Sequence, residues 1–187
     1  MTSSVPAIIR LFRTASPASP SDIRADLWNT AVTSASYAAD AEYQSAILEQ
    51  YKLCVEMADR ISARRALANA FFLTLNTAAL TTIGVFWKER PHAPAFYLVV
   101  PLLLLLALCL AWFWLVRSYR QLNSGKYAVI GALEERLPAS PYWKAEWKAL
   151  GEGRDKAIYW PLTHLEQWVP GVFALTYLCG FLAVVLA

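Results

Sequence analysis

Apolar and polar positions fall into three regimes along the chain. Three stretches, 66–87, 93–116 and 167–187, hold no charged residue over 22, 24 and 21 positions. At about 1.5 Å per residue, each is long enough to cross a hydrocarbon core about 30 Å thick as a helix. The pattern predicts an all-α integral membrane protein with three transmembrane helices, at 66–87, 93–116 and 163–187.

Amphipathic extensions form the second regime. From about Ala38 no Gly or Pro interrupts the helical pattern until Gly84, so a segment at 38–65 is expected to run unbroken into the first span. Ile47, Tyr51, Cys54, Ala58 and Ile61 recur at steps of four and three, which is a helix-packing seam. It can serve a contact within the chain or one between subunits, because an extension about 39 Å long has few partners in so small a protein. The second span continues likewise over 117–138, with Tyr119, Leu122, Val129, Ile130, Leu133 and Leu137 on one face and Pro138 as the stop. Only a short turn joins the spans that feed these extensions, so they are expected to pack as an antiparallel helical stalk in the cytoplasm.

The third regime is polar and broken. Residues 1–37 read as a mobile arm with one short helix, capped at Ser21-Asp22 and running to Trp28, after the Ser and Pro of 16–20. Residues 139–162 read as a small helix and loop, opened by Ser140-Pro141 and closed by Gly151-Glu152-Gly153. Thr163-His164-Leu165-Glu166 has the spacing of a capping box at the start of the last span. Trp87, Trp112, Trp114, Trp160 and Trp168 lie near span ends, as in an interfacial aromatic belt, whereas Trp143 and Trp147 are placed to dock the small helix.

Charge sets the expected topology. Of 17 Lys and Arg, seven precede the first span, two lie in the 88–92 turn and eight fall in 117–166. Arg60, Arg64, Arg65, Arg117 and Arg120 crowd the span ends, which predicts a cytoplasmic N-terminus, a cytoplasmic central loop and an outside C-terminus. Fourteen acidic residues nearly balance the basic ones, leaving +3. That is no nucleic-acid footprint. The first span lies too deep for a signal peptide and is followed by Lys88-Glu89-Arg90, and Thr2 stands where myristoylation needs glycine.

Chemistry is sparse. Cys54, Cys109 and Cys179 are far apart and read as packing residues, and His92 and His164 have no partner at ligand spacing, so no metal site is expected. Gly125-Lys126 lacks the upstream glycine of a phosphate loop, and no serine sits in a nucleophile elbow. We therefore expect no catalytic residues, no cofactor and no enzyme, unless through an unfamiliar site. The three charge-free stretches, 66–87, 93–116 and 167–187, contain no Asp, Glu, Lys, Arg or His, which argues against a proton relay or a voltage sensor.

Two constellations remain. Asn69, Thr74, Asn76, Thr77 and Thr81 lie among Ala66, Ala70 and Ala78 in the first span. Amides and hydroxyls in hydrocarbon need partners and small residues permit close approach, so this face is either helix–helix glue or the lining of a water-filled path. Arg117, Tyr119, Arg120, Asn123 and Lys126 cluster where the second span ends. They can anchor to lipid phosphates, pair with the first extension through Glu56 or Asp59, or hold a small anionic ligand.

Three segments carry a resemblance: 58–65 (ADRISARR) leading to Asn76-Thr77, 118–123 (SYRQLN) through 133–138 (LEERLP), and 164–170 (HLEQWVP). Together they resemble the RipA-family octameric membrane proteins of bacteria, over roughly 45–185. The resemblance implies a homo-octamer in the bacterial cytoplasmic membrane with a role in stress adaptation, and transfers no catalytic residue. The resulting expectation is a homo-oligomeric scaffold whose cytoplasmic crown also meets an unidentified protein partner, in a lipid bilayer and without nucleic acid. The alternative is a channel or membrane-permeabilising effector with the first span facing the axis.

Overall fold

The computed structural model describes residues 18–89, 95–154, 157–159 and 162–186, and among them there is no β-strand. Five α-helical elements are labelled α1 (Pro20–Leu27), α2 (Asp40–Glu89), α3 (Val99–Glu134), α4 (Trp147–Ala149) and α5 (Leu162–Leu186). A π-helical segment, Pro141–Glu146, leads into α4. Three helices, α2, α3 and α5, are long and apolar enough to cross a membrane.

With fifty residues and no internal proline, α2 is one rod about 75 Å long. The absence of Gly or Pro before Gly84 explains its continuity across the predicted boundary at 65–66. Contacts run in opposite directions along α2 and α3: Tyr51 meets Glu134, Asn69 meets Trp112, and Asn76 meets Cys109. Helix α5 lies level with α2 at an offset of about one hundred residues, since Arg65 meets Glu166 and Asn76 meets Tyr177. Both flanking helices pack on α3, which is thus the central element of the chain.

The seam predicted on α2 is used within the chain. Ile47, Ala58 and Ile61 are buried, Tyr51 and Cys54 are half-buried, and they face the part of α3 where Ile130 and Leu133 are buried. On α3, Ala128 and Ala132 are buried as well, while Leu122 is exposed on the other side. Small residues at these positions let the two backbones approach.

The start of the chain differs from expectation. Pro20 does not break the helix but occupies its first turn, where its missing N–H costs nothing. The cap is Ser19 rather than Ser21: Asp22 reaches back to accept the Ser19 N–H and hydroxyl, each at 2.8 Å. That bonding holds the Asp22 carboxyl below its ordinary range. Helix α1 also docks, with Arg24 forming a two-pronged pair with Glu135 (2.8 Å each) and Pro20 pressing on Gly131. Residues 1–17 of the predicted arm lie outside the described residues.

Gly131 is a point of closest approach. A Cβ there would lie 2.7 Å from the Trp143 ring and 2.9 Å from Pro20, so no side chain fits without displacing one of them. Trp143 therefore docks on α3, whereas Trp147 is half exposed and lies against Gly153. Gly151, Glu152 and Gly153 all take positive φ, and this left-handed run ends the small helical segment. The capping-box side chains Thr163 and His164 lie outside the described side chains.

Candidate functional site: buried polar contacts of the bundle

Three polar sites stand at three levels of the bundle. The first lies in the middle of the spans. Asn76 is fully buried; its Nδ2 donates to the Phe72 carbonyl at 2.8 Å and its Oδ1 accepts from the Tyr177 hydroxyl at 3.0 Å and the Cys109 thiol at 3.5 Å. Tyr177 also lies 3.1 Å from the Asn76 carbonyl oxygen. One amide thus joins α2, α3 and α5. Where no water competes, such bonds supply orientation that apolar contact alone does not.

Seven residues before Asn76 on α2, Asn69 Oδ1 accepts from Trp112 Nε1 at 2.9 Å. Trp112 is 1% exposed, stacks on Phe72 at 5.7 Å with ring planes 9° apart, and tilts against Phe173 at 6.0 Å. It is a core residue, not a member of the headgroup belt that its position near a span end suggested. Trp168, by contrast, is 72% exposed.

The predicted polar face of the first span therefore divides. Asn69 and Asn76 turn inward and are bonded, whereas Thr74, Thr77 and Thr81 are exposed on the chain's outer side. Thr81 returns its hydroxyl to the Thr77 carbonyl at 2.9 Å, the usual way a hydroxyl is satisfied along a helix in hydrocarbon. The structure does not bring the three threonines and two asparagines to one site.

At the second level, charged groups from all three long helices meet. Arg65 Nε lies 3.3 Å from Glu166 Oε2, both atoms buried, in an ion pair too misaligned to count as a hydrogen bond. Arg117 is buried with its guanidinium 5.7 Å from the Trp114 ring centroid, and Arg120 donates to Gln167 at 3.4 Å. Arg120 and Arg117 thus turn toward the α5 and Trp114 side, while Glu56 takes Arg60 one turn along its own helix at 2.7 Å. Tyr119, Asn123 and Lys126 are half-buried on α3, and Asn123 Oδ1 has no acceptor role filled among the described residues.

The third level was not anticipated. Glu134 is 2% exposed, and its carboxylate accepts from the Tyr51 hydroxyl (3.3 Å), the Ser140 hydroxyl, and the N–H groups of Tyr142 and Trp143 (3.0 Å each). It takes up the orphan amides at the start of Pro141–Glu146, a task expected of Ser140. Burial first, and then the Glu134 carboxylate, push the Tyr51 phenol up to about 12. Beside it opens a cleft of about 510 Å³ lined by Tyr51, Tyr127, Tyr142 and Asp59. Burial first, then Glu146, Tyr142 and Asp59, raise the Tyr127 phenol.

A groove of about 480 Å³ opens between α2, α3 and α5 beyond Tyr177, bordered by Ile83, Leu102 and Phe181. It is apolar nearly throughout. Among the described residues, no three His, Cys, Asp or Glu side chains gather to hold a metal ion.

Three stacked helices held by an internal amide and a belt of charge describe a membrane bundle, and a family model matches it over residues 48–186. The chain belongs to the octameric membrane protein family. The match to 8xMP covers α2 from residue 48 onward, all of α3 and the last span, within a few residues of the segment that carried the resemblance. No curated protein and no solved structure matches the chain. Membership of 8xMP agrees with a multi-pass membrane protein that associates with copies of itself.

Proposed function

We propose that the chain acts as a non-enzymatic, homo-octameric scaffold in the bacterial inner membrane. The portions of α2 and α3 beyond the spans stand in the cytoplasm as an antiparallel crown, the C-terminus lies outside, and the crown serves a partner in stress adaptation. The observation that carries this reading is the use of Asn76. The amide oxygen of this fully buried residue goes to Cys109 on α3 and Tyr177 on α5, and its NH2 group goes to the Phe72 carbonyl of its own helix, so the side chain faces the bundle and not a water-filled path. A span built this way holds helices together.

Size determination in lipid nanodiscs tests the scaffold. A particle of eight 20.9 kDa chains is expected; a monomer at membrane-like protein density refutes it. The channel reading has one observation in its favour, the exposed hydroxyls of Thr74, Thr77 and Thr81. Liposome flux that falls on Thr74→Val without loss of the octamer would replace the scaffold with a channel.

A further inference from the structure

Helix α2 has two outward faces of opposite character. At about 100° per residue, Leu53, Met57, Phe71 and Leu75 fall on one side, exposed at 59%, 48%, 60% and 40%. Ala66, Ala70 and Thr77 fall on the other, all exposed. Charge is divided in the same sense: exposed Arg64 lies on the bulky side and exposed Asp59 on the small side, and among the described residues neither has an ion-pair partner. The buried seam with α3 occupies the direction away from both.

The faces are complementary when two copies of α2 stand side by side in the same direction. Phe71 then lies level with Ala70, and Leu75 lies about 3 Å along the axis from Thr77. Large side chains enter the depressions left by small ones, as in ridge-into-groove packing. Arg64 stands about 7.5 Å along the axis from the neighbour's Asp59, within reach of a flexible guanidinium stem.

The angle between the faces gives the assembly its form. Their centres are about 140° apart on the helix. A closed ring of eight identical helices, each touching its neighbours through two different faces, needs about 135°. Two copies using one face twice would stop at a dimer. Two unlike faces pass the contact on until the ring closes.

We infer that the octamer is a head-to-tail ring of parallel α2 helices, in which the Leu53–Phe71–Leu75 ridge and Arg64 of one copy dock on the Ala66–Ala70–Thr77 groove and Asp59 of the next. The inference rests on the scaffold reading and adds to it the surfaces that make the assembly. Each copy keeps α3 and α5 on the outer side of this ring.

Disulfide trapping in native membranes tests it, in a chain whose Cys54, Cys109 and Cys179 are replaced by alanine and which retains the wild-type particle mass. Leu75→Cys with Thr77→Cys in one chain should give, on oxidation, a ladder of bands ending at eight subunits. The two sites lie about 160° apart on their own helix and cannot bridge within it. Either single variant should stay monomeric on the same gel, and co-expressed single variants should stop at dimers. Dimers from a single variant at the level of the double would overturn the head-to-tail contact, as would an intact octamer with no ladder, which leaves the scaffold standing. A monomeric wild-type particle overturns both. Asp59→Arg and Arg64→Asp should each lower the octamer fraction at low salt severalfold, and their combination should restore it; failure of that rescue with the ladder also absent rejects the interface.

Discussion

Glu134→Gln removes a charge and almost no volume, yet it cannot be accommodated by rotating the side chain. Oε1 accepts the Tyr142 N–H and Oε2 the Trp143 N–H, each at 3.0 Å. A backbone N–H only donates, and glutamine offers one oxygen and one NH2. Either orientation therefore sets an NH2 group against a backbone N–H. The hydroxyls of Tyr51 and Ser140 can turn to accept instead, so they add little. One buried donor left unpaired costs about 1–3 kcal/mol, and the bonds lost are of the stronger, charge-assisted kind. The penalty should be local, because the two amides open the Pro141–Glu146 segment. Hydrogen exchange at Tyr142 and Trp143 should accelerate about tenfold or more, a tenfold change corresponding to about 1.4 kcal/mol, while the middle of α3 keeps its protection. Thermal unfolding in detergent supplies the global figure. Unchanged exchange at both amides, with stability within about 0.5 kcal/mol of wild type, would refute the account of Glu134 as the clamp on this segment.

Asn76→Leu should loosen α5 from α2 and α3 at a cost of about 1–2 kcal/mol in a bilayer or micelle. Tyr177→Phe should cost less and be strongly non-additive with it; additive effects in a double-mutant cycle would show that the two do not share a bond. Gly131→Ala drives a Cβ into Trp143 and Pro20, so about 1–3 kcal/mol should be lost, and an emission spectrum identical to wild type would reject the close approach. Glu135 is held below its ordinary value near 4.5, first by the Arg24 hydrogen bonds. A depressed carboxyl contributes stability above its unfolded value and loses it as pH falls through the depressed one, so α1 should become protease-sensitive on acidification below about pH 4.5. Glu135→Gln should show that sensitivity at neutral pH; protection that ignores both acid and substitution would remove Arg24–Glu135 from the docking of α1.

The fold was legible to the extent that it is written in runs and periods. Charge-free runs located three spans, and the four-three spacing of Ile47 to Ile61 located the buried side of α2. Which partner buries that side was not legible, because an apolar stripe is the same whether a neighbouring helix belongs to the chain or to another copy. The amides of the first span were found by their cost in hydrocarbon, but their partners Cys109, Trp112 and Tyr177 resemble ordinary span residues until three helices are stacked. Glu134 was hidden for a related reason. A glutamate beside another glutamate near a helix end reads as solvated charge, and only the return of the chain through Ser140 and Pro141 closes over it. Gly131 did leave a trace, a glycine inside a helical run, but Gly125 leaves the same trace and meets nothing within 4 Å, and the two prolines near Ser19 suggest a break where the cap lies.

An α2 rod without glycine or proline before Gly84 has no joint at the membrane boundary. Inclination imposed inside the lipid is consequently transmitted to the far end at full amplitude. The length before Ala66 is a lever of about 39 Å, so a change of about 10° displaces its tip by about 7 Å. Any change of bilayer thickness that alters this inclination is thereby converted into position at a distance.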